Sequence, residues 1–209
     1  MSPRFGRSAR PQAPAPNDET LLAATVDVLA GTLGLRDGST GEHSDRVVGL
    51  AQQIGEEIGL TGRELRDLGY AARLHDIGKV GVPDAVLHKP GPLIDAEIEV
   101  MRGHAVWGAD LVRRIPGLEE VGRIVRHHHE RYDGDGYPDR LTGADIPLAS
   151  RILAVADAYV AMTEDRPYRK ARPRFEVDAE FRSCSGAQFD PDVVGSLRAV
   201  VGAGNGGPG

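Results

Sequence analysis

The stretch Thr61-Gly62-Arg63-Glu64-Leu65-Arg66-Asp67-Leu68-Gly69-Tyr70-Ala71-Ala72-Arg73-Leu74-His75-Asp76-Ile77-Gly78-Lys79 decides the fold. Thr61 and Glu64 form a capping box that opens a helix, and Leu65, Leu68, Ala72 and His75 follow at helical spacing. The helix runs into an adjacent imidazole and carboxylate and leaves helical geometry at Gly78. Neighbouring side chains on a helix point about 100° apart. His75 and Asp76 can therefore address two metal ions, or one ion and a bridging position.

The same period continues on both sides. Asn17 or Asp18 caps a first helix carrying Leu21, Leu22, Val26, Leu29 and Leu33. A second helix from about Glu42 puts Val47, Leu50, Ala51, Ile54 and Ile58 on one side. Shorter helices are predicted over 95–114, 118–130, 148–163, 174–183 and 190–201, with no alternating strand pattern anywhere. Pro, Gly and Asp punctuate 131–147, which reads as a long ordered loop of the kind that carries function. The expected fold class is all-α, a single helical bundle over residues 18–201. Residues 1–17 read as a disordered segment, and 202–209 as a flexible Gly-rich tail. That tail matches G-x-G-x-x-G, but no helix can follow it, so the dinucleotide reading fails on context.

Composition narrows the function. At 209 residues and 40% hydrophobic content the chain can bury a proper core and has no apolar run long enough to span a membrane. The N-terminal stretch lacks the apolar region of a secretory signal, and the single Cys184 permits no internal disulfide. A cytoplasmic protein is expected, with Cys184 as a small buried or half-buried thiol. A net charge of −6 argues against DNA or RNA as a partner. Arg166, Arg169, Lys170, Arg172 and Arg174 form a local exception, a solvated face or a hold for a phosphorylated ligand.

The chemistry lies in the histidines. His43, His75, Asp76, His104, His128, His129 and Asp157 are candidate metal ligands. His128 shares a helix face with Val121 and Ile124 and so points inward, whereas His127 falls on the exposed side. Asp157 is the only acid in the apolar helix 151–162, and a buried carboxylate needs a cation or strong hydrogen bonds. Arg151 and Arg166 are its alternative partners. Imidazole and carboxylate without thiolate favour Fe, Mn, Zn or Ni over a structural zinc site. Seven ligands exceed the needs of one tetrahedral ion, so two divalent ions are expected, an arrangement suited to phosphate-ester hydrolysis. Lys79 stands beyond the doublet as a point charge for a phosphoryl oxygen. Asp133-Gly134-Asp135-Gly136 lacks the later acids of a calcium loop.

Taken together, His75-Asp76-Ile77-Gly78-Lys79 resembles the signature of the HD superfamily of metal-dependent phosphohydrolases. The run His128 to Pro138, ending Gly136-Tyr137-Pro138, resembles its HD-GYP branch, the cyclic di-GMP phosphodiesterases. The similarity continues through residues 89–93, 165–169 and 185–191, and spans roughly 20–201. The resemblance implies an HD-type helical bundle with the seven ligands named above, Fe or Mn as the metals, and Zn or Ni as substitutes. It implies Asp76 and Lys79 as catalytic residues, and Lys79, Tyr137, Arg166 and Arg169 as substrate contacts. It further implies that a hydroxide bridging the metals opens cyclic di-GMP to linear pGpG, and then GMP.

Two positions depart from the family pattern. Ser39 stands where some members carry a third-metal Glu, and Val160 where an Asp is frequent. Two other readings stay open: hydrolysis of a different nucleotide, or a catalytically weak module that binds the dinucleotide or a partner protein. Regulatory protein partners or a homodimer are compatible with all three.

Overall fold

The computed structural model describes residues 18–37, 41–165 and 170–203. Ser39, Arg166, Arg169, the 1–17 segment and residues 204–209 lie outside the described residues. Within these limits the chain forms nine α-helices and no sheet: α1 (Asp18–Asp37), α2 (Gly41–Ile58), α3 (Gly62–Leu74), α4 (Asp84–Leu87), α5 (Asp95–Val112), α6 (Glu119–Arg126), α7 (Leu148–Thr163), α8 (Arg174–Cys184) and α9 (Pro191–Ala203). Short 3-10 turns occupy Ile77–Gly81 and Gly143–Asp145. The expected all-α class is the observed one. No helix of the described residues is long and apolar enough to cross a membrane.

The central layer is α2, packed on α3, α7 and α9, while α3 also meets α6 and α1. Val47, Ala51 and Ile54 of α2 face Leu68 and Leu74 of α3 in one continuous apolar core. Each such fully buried Leu or Ile stabilises the fold by about 2 kcal/mol. Gly59 ends α2 in a left-handed conformation (φ +101°) that favours glycine. The amides of Gly59 and Leu60 donate to the carbonyls of Glu56 (3.0 Å) and Gly55 (2.8 Å), a Schellman motif that turns the chain into α3. Leu21, expected on the packed face of α1, is 58% exposed, because only Val26 and Leu33 lie deep in that contact.

Helix α3 begins where expected, but Thr61 makes no side-chain cap bond. The Glu64 amide donates instead to the Thr61 carbonyl (3.1 Å). At the other end the helix stops at Leu74, before Gly78. There His75 Nδ1–H donates to the Ala72 carbonyl (2.8 Å). The helix predicted over 118–130 stops early in the same way. It ends at Arg126, with His128 Nδ1–H on the Val125 carbonyl (2.6 Å) and residues 127–129 in turns. Each histidine doublet therefore lies just past the end of the helix that delivers it.

The Ile77–Gly81 turn then crosses α5 backbone against backbone. A Cβ on Gly78 would lie inside the His104 carbonyl oxygen and 2.5 Å from the Gly108 nitrogen, so only glycine permits this approach. The crossing sets the His75-Asp76 doublet beside His104. Helix α9 extends to Ala203, so Gly202 and Ala203 of the expected tail are helical, a boundary shift ordinary for helix ends.

Candidate metal centre

Five elements converge on one cleft of about 500 Å³ lined by His43, Asp76, Lys79, His104, His129 and Asp157, among others. Two groups of three ligand atoms form there, each within 4.8 Å: His43, His75 and Asp157, and His104, His128 and His129. Asp76 stands between them. Its Oδ2 is 3.5 Å from His75 Nε2 and its Oδ1 3.6 Å from His104 Nε2, one oxygen toward each group. All seven ligands expected from the sequence are brought together. The doublets differ, though: Asp76 spans both groups beside His75, whereas His128 and His129 turn into the same group.

Hydrogen bonds fix the tautomers. His75, His104 and His128 donate Nδ1–H to the carbonyls of Ala72, Met101 and Val125, and a carbonyl can only accept. When these imidazoles are neutral, Nε2 is therefore the nitrogen that carries the lone pair. His128 Nε2 is buried with no hydrogen-bond partner, a costly state that a metal ion relieves. The donor set and this orphaned atom fit a divalent cation.

Electrostatics agree. Burial holds His104 and His128 below the ordinary imidazole range and brings His129 down to about 3, so all three are neutral and able to ligate at pH 7. Burial raises Asp76, but His75, Lys79 and His104 outweigh it and keep the carboxylate ionised. Asp157 is held low mainly by its hydrogen bond to His43 (3.4 Å), against the opposing effect of burial. That same bond raises His43. Arg151, an alternative partner for Asp157, pairs with Asp190 instead.

A pH consequence follows for the metal-free protein. The unfolded chain protonates its histidines near pH 6.5, whereas folded His104, His128 and His129 stay neutral to lower pH, so the unfolded state binds more protons below about 6.5. Stability from these groups is full above that value and declines as pH falls toward about 3; His43, raised, offsets part of it. The melting temperature measured with chelator should drop between pH 7 and 4.5. A flat profile would mean these imidazoles are not buried neutral.

Other expectations need adjustment. His127 is not free in solvent: its Nε2 lies 2.9 Å from Asp139, which Arg126 also holds, and it belongs to neither ligand group. Val160 is 5% exposed in the core, one turn from Asp157. Lys79 lines the cleft with its Nζ 2.6 Å from Asp76 Oδ2. Tyr137 stacks on His129 (4.9 Å) and carries Arg102 over its ring (5.2 Å), while burial raises its hydroxyl pKa and keeps it protonated. Arg172 pairs with Glu180, and Lys170 with Asp165 at an exposed position.

Two acids escaped the sequence reading. Glu130 is buried and accepts the Asp139 (2.7 Å) and Leu141 (3.2 Å) amides, shaping the loop that carries Tyr137. Its place between a histidine doublet and a Gly-rich loop was a usable signal. Glu164 accepts from His43 Nδ1 (2.7 Å) across 121 residues of sequence, a separation no local pattern reveals.

The HD domain family pattern matches residues 27–193. Over 178 residues the chain is 39% identical to a cyclic di-GMP phosphodiesterase of Thermotoga maritima, covering 84% of this chain and 48% of the relative. Over 175 residues it is 41% identical to the cyclic di-GMP phosphodiesterase response regulator RpfG of Xanthomonas campestris pv. campestris, covering 83% and 46%. It thus spans about half the length of these curated relatives. In three dimensions it is similar to a V. cholerae cyclic GMP-AMP specific phosphodiesterase, V-cGAP3, with TM-score 0.66, 22% identity, and coverage of 87% of this chain and 49% of the other. The family pattern covers most of the chain and includes every residue of the cleft, and the chain belongs to the HD domain family.

Proposed function

We propose that this chain is a metal-dependent phosphodiesterase that opens cyclic di-GMP to linear pGpG and then GMP, with residues 18–201 as the catalytic unit. The observation that carries this reading is the pair of three-ligand groups joined by Asp76. His43, His75 and Asp157 would hold one divalent ion and His104, His128 and His129 the other, with Asp76 between the two groups. Fe or Mn suits this imidazole and carboxylate set, with Zn or Ni able to substitute. Bound ions of this kind supply Lewis acidity at the phosphodiester and lower the pKa of water. The two curated relatives described above carry this substrate in their names, which supports it for this chain.

The chain's own groups do the rest. Lys79 places a cation at the cleft where charge develops on phosphoryl oxygens. Tyr137 presents a protonated hydroxyl beside His129. It also walls a second cleft of about 580 Å³ lined by Arg102 and Arg140 together with Glu99 and Asp135, which has room for the other half of the dinucleotide. Arg166 and Arg169 stay in this reading as phosphate contacts. A cytoplasmic setting, no nucleic-acid polymer as partner, and control by partner proteins or a second copy belong to the same proposal.

Lys79→Ala tests the division of labour. Metal content should stay at the wild-type level while kcat falls about 10²–10³-fold, as for loss of one charge-stabilising donor. Metal loss in this variant would show that Lys79 serves Asp76 rather than the phosphate.

A further inference from the structure

His75, His104 and His128 orient themselves, each donating Nδ1–H to a carbonyl three residues earlier. His43 cannot. It is the third residue of α2, so no carbonyl of its own helix stands three residues before it. Its Nδ1 meets Glu164, just past the end of α7, at 2.7 Å. The other oxygen of Glu164 accepts from Arg46 (2.8 Å), one turn beyond His43 on α2. Glu164 is 13% exposed and is gripped from both sides by α2.

We infer that Glu164 is a positioning residue for one half of the metal centre: its carboxylate holds the His43 proton on Nδ1 and presents Nε2, with Asp157, to the ion of the His43 group. The inference rests on the two-metal reading above. A carboxylate behind a ligating imidazole fixes its ring and makes it a stronger donor than a neutral carbonyl does. Of the four histidines whose Nδ1 partner is seen, His43 alone has an anionic one. The two ions are therefore held unequally, and the His43 side depends on a group contributed by another helix.

Beside Glu164 in the sequence, the Arg172 amide donates to the Met162 carbonyl (2.9 Å) and the Ala171 amide to Asp165 (2.7 Å).

The experiment measures Mn²⁺ affinity and stoichiometry by competition with a fluorescent chelator, without any assay of turnover. Wild type should bind two Mn²⁺ per chain. Glu164→Ala should weaken one of them 10–100-fold and leave the other unchanged. Glu164→Gln, whose amide oxygen can still accept from Nδ1–H, should restore most of that loss. Arg46→Ala should cost less than Glu164→Ala. In a His43→Ala background, adding Glu164→Ala should cause no further loss, since the effect runs through His43. Unchanged binding in Glu164→Ala, or a loss that adds to that of His43→Ala, overturns the inference while leaving the two-metal reading intact. Wild-type protein that takes up no Mn²⁺ overturns both.

Discussion

Asp76→Ala should lower cyclic di-GMP turnover by about 10³–10⁴-fold and reduce bound metal, the largest loss expected from any single side chain in the cleft. Its two oxygens lie 3.5 Å from His75 Nε2 and 3.6 Å from His104 Nε2, so one truncation strips a ligand from each group. Metal-derived charge stabilisation is worth several kcal/mol, and each 1.36 kcal/mol is tenfold in rate. Removing Asp76 also leaves Lys79 without its 2.6 Å partner beside the remaining imidazoles. His75→Ala should damage one group and leave the other its three ligands, so it should retain more metal than Asp76→Ala. Equal metal retention in the two variants would argue against a shared Asp76.

Gly78→Ala should unfold the site without touching a ligand. The added methyl would meet the His104 carbonyl oxygen and the Gly108 nitrogen, both backbone atoms with no rotamer to escape into. Overpacking of this kind costs about 3 kcal/mol or more. In a domain of this size that lowers the melting temperature by roughly 10 °C. Relief comes only by moving the Ile77–Gly81 turn off α5, which separates His75 and Asp76 from His104. Thermal melting and metal content should therefore fall together. A variant with wild-type melting temperature would mean that this backbone crossing is looser than the structure has it.

The helices were legible because their apolar period is strong: Val47, Ala51 and Ile54, or Leu68 and Ala72, leave little freedom in which face is buried. Helix ends were less so. Nothing in the apolar period of residues 118–130 announces that α6 stops at Arg126, before the histidine doublet. His127 misled for the same reason, because its place was assigned on a helix that has already ended. That these seven residues would come together was legible from two doublets and a lone acid in an apolar helix. Their division into two groups with Asp76 between them was not, because it depends on the Gly78 crossing and on packing between α2 and α7. Glu164 could not be found at all by spacing, and its role exists only where the end of α7 meets α2.

The most direct test of the central claim combines metal analysis of anaerobically purified protein with assay of cyclic di-GMP turnover in added Mn²⁺ or Fe²⁺. The account predicts two ions per chain and the appearance of pGpG followed by GMP. Two ions with dinucleotide bound but never cleaved would contradict the enzymatic reading and favour a binding module. Two ions with cyclic di-GMP ignored would move the substrate to another nucleotide, and a chain that takes up no metal would contradict the account at its base.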